Sequence, residues 1–132
     1  MKISTKGRYA LRLLVDLAEH SDEGFVPLKE LATRQQISLK YAESIVSLLV
    51  KGELLLAERG ASGGYRLARP ADSISVATVL TLTEGSLHSV ACLEEDAPVC
   101  PRVEGCKTVG LWRKLDDMIH DFFDGVKLSD LV

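Results

Sequence analysis

Three amphipathic helical segments, a glycine-rich hairpin behind them and a wide apolar stripe near the C-terminus predict a mostly α fold. The expected architecture is a winged helix-turn-helix domain with a long C-terminal dimerisation helix. At 132 residues the chain makes one domain, or one small domain with an appended helix, and needs no disulfide framework to fold. Hydrophobic residues at 46% and charged residues at 27% fit an ordinary globular domain, not a disordered or fibrous chain. Unbroken apolar runs such as Leu54 to Ala57 fall far short of the ~20 residues of a membrane span. The start, Met-Lys-Ile-Ser-Thr-Lys-Gly-Arg, with Arg12 and Asp16 inside its apolar stretch, is no secretory leader. The expected location is the cytoplasm, with no membrane partner.

The first periodic segment runs from Ser4 to His20, with Ala10, Leu13, Leu14, Leu17 and Ala18 on one face. Ser4 or Thr5 caps its start, and Ser21-Asp22-Glu23-Gly24 stops it. Pro27 sits at a first helical position, ahead of Leu28, Leu31 and Ala32 in a short second helix. After the tight connection Gln35-Gln36-Ile37, Ser38 caps a third helix with Tyr41, Ile45, Leu48 and Leu49 on one face. That helix ends at Lys51-Gly52, a cation in the last turn and a glycine beyond it. Leu54 to Glu58 and Tyr65 to Ala68 are strand-like, and the intervening Arg59-Gly60-Ala61-Ser62-Gly63-Gly64 supplies the positive φ angles of a hairpin. Ser75 caps a fourth helix over 76–83. Residues 85–106 read as irregular, and a last helix over 107–124 carries Val109, Leu111, Trp112, Leu115, Met118, Ile119, Phe122 and Phe123. The stripe is too wide and aromatic for one small domain to cover, so it reads as a homodimer seam; the alternative is that it folds back on its own core. The divisions are therefore 1–84, the winged domain; 85–106, a cysteine-containing loop; and 107–132, the dimerisation helix and tail.

In a helix-turn-helix the second helix lays its N-terminal residues in the major groove of DNA. The outward positions there are Ser38, Lys40, Glu43 and Ser44: hydroxyls, a cation, and an acid able to accept from a cytosine amino group. At the hairpin tip Arg59 stands beside Gly60, Gly63 and Gly64, small residues that let backbone amides approach a groove or phosphate. Lys2, Lys6 and Arg8 add charge at the N-terminus. Residues 1–70 hold 11 Lys+Arg against 8 Asp+Glu, whereas 71–132 hold 5 against 11, so the front half is the one suited to a polyanion. The glycine loop lacks both nucleotide-binding glycine patterns. His20, His88 and His120 are scattered and no catalytic constellation can be built on them, so an enzyme is not expected.

Cys92, Cys100 and Cys106 are the only cysteines and share one 15-residue window. An odd count in a cytoplasmic chain points to metal, cluster or redox chemistry. Thiolates prefer iron–sulfur clusters, zinc or copper(I); residue types and spacing leave open a cluster, a structural zinc site, a redox pair or unliganded thiols.

The segments Met1 to Ala10, Ile37 to Glu43, Arg59 to Tyr65 and Leu111-Trp112-Arg113 together resemble the Rrf2 family of bacterial winged-helix regulators, over nearly the whole chain. The resemblance implies a homodimeric transcription factor, a repressor, that binds a double-stranded DNA operator and whose long last helix crosses to the partner subunit. It implies that Ser38, Lys40, Tyr41, Glu43 and Arg59 lie at the DNA face. It also implies that Cys92, Cys100 and Cys106 hold an iron–sulfur cluster (2Fe-2S or 4Fe-4S) answering to iron–sulfur status, redox or nitric oxide. Two departures stand out. Seven residues separate Cys92 from Cys100, a longer interval than the iron–sulfur-sensing members use. Val109 occupies the position of their ligand histidine, and Arg8 that of an acidic ligand other members supply from the partner subunit. The fourth ligand is left among His88, Glu104, an acid of Glu94, Glu95 and Asp96, a partner residue or a small molecule. One alternative is a repressor of sulfur and cysteine metabolism controlled by a regulatory protein partner. Another is a cluster or zinc protein that does not bind DNA.

Overall fold

Ser4 opens the first helix, α1 (Thr5–Glu19), by accepting a hydrogen bond from the Gly7 amide at 3.0 Å. The structure is a computed structural model that describes residues 2–132; Met1 of the opening motif lies outside the described residues. The predicted stripe of α1 is the face that packs: Ala10, Leu13, Leu14 and Leu17 are buried. α2 (Leu28–Gln35) follows, with Pro27 as its cap residue and not its first helical residue. The turn of the helix-turn-helix is made by Gln36 in the left-handed conformation (φ 56°). Ser38 then accepts from the Tyr41 amide at 3.0 Å and starts α3 (Leu39–Lys51), which buries Ala42, Ile45, Val46 and Leu49.

Gly52 follows α3 without the left-handed backbone that a glycine there suggests. Its φ is −78°, and the left-handed residue is the next one, Glu53 (φ 62°). A Cβ at 52 would meet the side-chain end of Leu82, itself partly buried against the core, and Leu82 would have to shift to admit it. β1 (Leu55–Glu58) pairs antiparallel with β2 (Gly64–Leu67), from Leu55 opposite Leu67 to Glu58 opposite Gly64. The other edge of β2 is also paired: the Val26 and Tyr65 amides donate to each other's carbonyls, both at 2.9 Å. A Cβ on Gly64 (φ 150°) would overlap the Val26 carbonyl, and one on Gly63 the Glu58 carbonyl, so both glycines permit close backbone approach.

Ser75 caps α4 (Val76–Glu84), accepting from the Thr78 amide at 3.1 Å. Residues 85–108 hold one short 3-10 turn, Ala91–Leu93, before α5 (Val109–Asp124). The segment after α5 returns to the winged domain. Val126 accepts from the Val76 amide at 2.8 Å, the Leu128 amide donates to the Ile74 carbonyl at 3.0 Å, and Leu128 is fully buried in the core, where its turn packs on α1. A leucine so buried contributes about 1.5–3 kcal/mol, enough to anchor this return. Among the described residues no helix is long and apolar enough to cross a membrane.

Candidate nucleic-acid interface and cysteine segment

The helix-turn-helix is held by a charge clamp. Asp16 on α1 is 4% exposed and accepts from Arg34 (Nη2 at 2.6 Å, Nε at 3.1 Å) and from Gln35 Nε2 at 2.8 Å, both on α2. Arg34 also pairs with Glu30 at 2.6 Å. Burial pushes the Asp16 carboxyl up, but the Arg34 and Gln35 hydrogen bonds and the Arg34 charge outweigh it and hold the group below its ordinary value. Arg12 reinforces the same junction, donating to Gln35 Oε1 at 2.9 Å while lying 4.6 Å over the Tyr9 ring. Sequence reading missed this clamp; its signal was an aspartate inside the apolar stripe of α1.

At the start of α3, Ser38, Lys40, Glu43 and Ser44 are all exposed. Ser38 and Ser44 also serve the backbone, Ser44 donating to the Tyr41 carbonyl at 2.7 Å. Lys40 and Glu43 take part in no ion pair among the described residues, which leaves both for an external partner. Tyr41 is half-buried, its ring edge-on to Tyr9 at 5.9 Å, so it braces α3 on α1. Leu39, not singled out from sequence, is 52% exposed between Ser38 and Lys40. It lies off the core-facing stripe, which was the available signal; an apolar group there suits a thymine methyl.

In the wing, Arg59 and Gly60 are exposed, and Gly60 (φ 108°) has open space where a side chain would stand. Gly63 is buried and Gly64 half-buried. Their function is the backbone crossing described above, not an exposed surface. Phe25 receives the Arg66 guanidinium 4.7 Å above its ring, bracing the wing. Lys2 and Arg8 are exposed and Lys6 half-buried. Beside them the Glu84 carboxylate accepts from the amide and hydroxyl of Ser4, tying α4 to the start of α1. Burial raises its proton affinity and the Ser4 hydrogen bonds more than reverse this.

Cys92 is exposed, Cys100 and Cys106 are half-buried, and all three thiols are free. Cys106 Sγ lies 3.5 Å from Thr108 Oγ1 at the start of α5. Hydrogen bonding by Thr108, then by the Thr108 and Val109 amides, lowers the thiol's proton affinity. Among the described residues no three Cys, His, Asp or Glu side chains are gathered closely enough to hold a metal ion. His88 and Asp116 are brought together, His88 Nδ1 lying 2.9 Å from Asp116 Oδ2, and the Ser89 amide donates to Asp116 Oδ1 at 2.7 Å. The segment is thereby fastened to α5. His120 is exposed.

α5 divides the predicted seam into two stripes. Trp112, Ile119 and Phe123 are half-buried within the chain itself. Leu111, Leu115, Met118 and Phe122, at the i, i+4, i+7 and i+11 positions of the other stripe, are 60%, 37%, 61% and 66% exposed. No residue of α5 is fully buried.

A helix-turn-helix with an antiparallel wing and an open polar start to its second helix defines the winged-helix class of DNA-binding proteins. The model of the Rrf2 family, iron-dependent transcriptional regulators, matches residues 3–132. The HTH-type transcriptional regulators IscR of Erwinia tasmaniensis and of Sodalis glossinidius are 41% and 40% identical over the whole chain, which spans 79% of each. Among solved structures, CymR (YrzC), the global cysteine regulator of B. subtilis, matches with a TM-score of 0.80 and 34% identity over 99% of this chain and 95% of that one. IscR of T. potens matches with a TM-score of 0.75 and 34% identity over 99% and 85%. The chain belongs to the Rrf2 family: it is a helix-turn-helix transcriptional regulator and not an enzyme.

The donor set fits an iron–sulfur centre in its chemistry. Three free thiols sit in one segment of open backbone with no disulfide to compete, and soft thiolates are the ligands such iron takes.

Proposed function

We propose that this protein is a homodimeric, cytoplasmic repressor that reads a double-stranded operator and whose grip depends on an iron–sulfur cluster held by Cys92, Cys100 and Cys106. The observation that carries the reading is the position of the three thiols. They occupy the exposed stretch joining the winged domain to α5, the helix whose apolar stripe is left open. A cluster there supplies a centre sensitive to iron supply, oxidants or nitric oxide. The chain's own residues do the rest. Ser38, Leu39, Lys40 and Glu43 present the groove-facing surface of α3, Arg59 and Gly60 the wing tip, and Lys2, Lys6 and Arg8 phosphate-neutralising charge. Leu111, Leu115, Met118 and Phe122 pair with the same stripe of a second copy and set the spacing of the two α3 helices, which must match half-sites about one helical turn apart. Asp116, through His88 and Ser89, links the order of the cysteine segment to that spacing.

Selection of duplexes from sheared genomic DNA by protein prepared under nitrogen tests the reading. A discrete set of operators, bound with an affinity that falls steeply with salt, is expected. A uniform yield of unrelated fragments contradicts it. A second reading, control by a protein partner without a cluster, is favoured by the thiols' not being gathered. Iron and sulfide counts on the same preparation decide between the two.

A further inference from the structure

We propose that Arg12 is a positioning residue for operator reading: from α1 it fixes the turn ahead of α3, and it makes no contact with DNA itself. The proposal rests on the DNA-reading surface described above. By charge and place Arg12 looks like one more phosphate contact. It is exposed on α1, four positions after the exposed Arg8, so the two are neighbours on that helix. Their side chains are used differently. Arg8 reaches Thr5 Oγ1, at 3.3 Å, on its own helix. Arg12 reaches across to the end of α2.

Gln35, the last residue of α2, is held at both its oxygens. Arg12 Nε donates to the side-chain oxygen at 2.9 Å, and Nη2 to the backbone carbonyl at 3.2 Å. That carbonyl is among the last four of the helix, which have no partner inside it. A cation beside them is favoured by the negative end of the helix dipole. The amide end of the same side chain donates to the buried Asp16 at 2.8 Å, so α1 grips Gln35 at two points. The next residue, Gln36, is the left-handed one that turns the chain towards α3. The Arg12 guanidinium also lies 4.6 Å over the Tyr9 ring, and Tyr9 meets Tyr41 of α3 edge-on at 5.9 Å. One planar group thereby joins α1 to the last residue of α2 and, through Tyr9, to the third residue of α3. Those residues flank the turn, so the start of α3, with Ser38, Lys40 and Glu43, takes its direction from Arg12. A lysine cannot replace it. Its ammonium is a point charge, without the fork that reaches two oxygens while stacking on a ring.

The test uses the full chain, an operator recovered by the genomic selection, and an unrelated duplex of the same length. Both duplexes are titrated over a range of salt with the unsubstituted protein, Arg12→Ala and Arg12→Lys, active molecules being counted by stoichiometric titration. Operator affinity should fall about 2- to 30-fold in both variants, the range for residues that act on a site through others. Affinity for the unrelated duplex and the salt slope should stay as they were. Gln35→Ala combined with Arg12→Lys should cost less than the sum of the two, because each removes the same contact. Arg12→Lys that binds like the unsubstituted protein overturns the assignment. A slope that falls by about 1 in Arg12→Ala, with both duplexes weakened alike, makes Arg12 a phosphate contact and also overturns it. Additive losses, an unchanged operator affinity in Arg12→Ala, or a loss confined to the fraction of active molecules do the same. In each of these cases the DNA reading itself stands. The absence of any discrete operator overturns that reading and this assignment with it.

Discussion

Asp16 shows how one residue can brace the DNA-reading part without touching DNA. Among the described residues its carboxylate is the only point at which α1 and α2 exchange charge, and a buried carboxylate is stable only with such partners. Asp16→Ala should destabilise the protein by about 1.5–3 kcal/mol, less than for a fully buried pair, because Arg34 is 26% exposed and keeps Glu30. Urea denaturation measures this, and an unchanged midpoint contradicts the clamp. The carboxyl is held below its ordinary value of 3.8, so the folded state binds fewer protons than the unfolded one there. Its contribution is complete at neutrality and is lost as pH falls below 3.8, through the folded value; the gap between wild type and Asp16→Ala should close over that interval. Arg59 acts outward instead. Arg59→Ala should weaken operator binding by about 1–3 kcal/mol if the guanidinium meets a base, and uniformly across sequences if it meets only phosphate. Isotherms at fixed salt separate these outcomes, and an unchanged isotherm removes Arg59 from the interface.

Among the elements, the helix starts were legible because capping is local. Ser4, Ser38 and Ser75 each sit three residues before the amide they accept from; sequence placed Ser38 and Ser75 and left the first cap between Ser4 and Thr5. Features set by distant neighbours were not legible. The Asp16–Arg34 pair spans 18 positions, Leu128 reaches the core only because the chain turns back after α5, and the space beside Gly52 is filled by Leu82. The seam on α5 was legible as an apolar excess, but not its division, since only the packed chain shows that Trp112, Ile119 and Phe123 are partly covered at home. The cysteines were legible as a set, and the His88–Asp116 contact across 28 positions was not. Two predictions follow from these elements. Gly64→Ala forces a Cβ against the Val26 carbonyl at positive φ and should cost at least about 1 kcal/mol. Hydrogen exchange at the Val26 and Tyr65 amides should speed up, and unchanged protection would remove the crowding argument. The double variant Met118→Glu and Phe122→Glu touches only the exposed stripe of α5, so the fold should survive while the molecule becomes monomeric in sedimentation. A dimer that persists unchanged places the seam elsewhere.

For the whole molecule, the proposed function makes one device of the basic front half, the open helix and the thiol segment between them. A switch of this kind needs little energy: a coupling of ~1–3 kcal/mol between the thiol segment and the DNA face changes affinity about 5- to 150-fold. The most direct measurement compares operator isotherms, at one salt concentration under nitrogen, for the protein carrying iron and sulfide and for Cys92→Ala. Affinities that differ by a factor within that range are predicted. Superimposable isotherms for two folded, dimeric proteins would contradict the account.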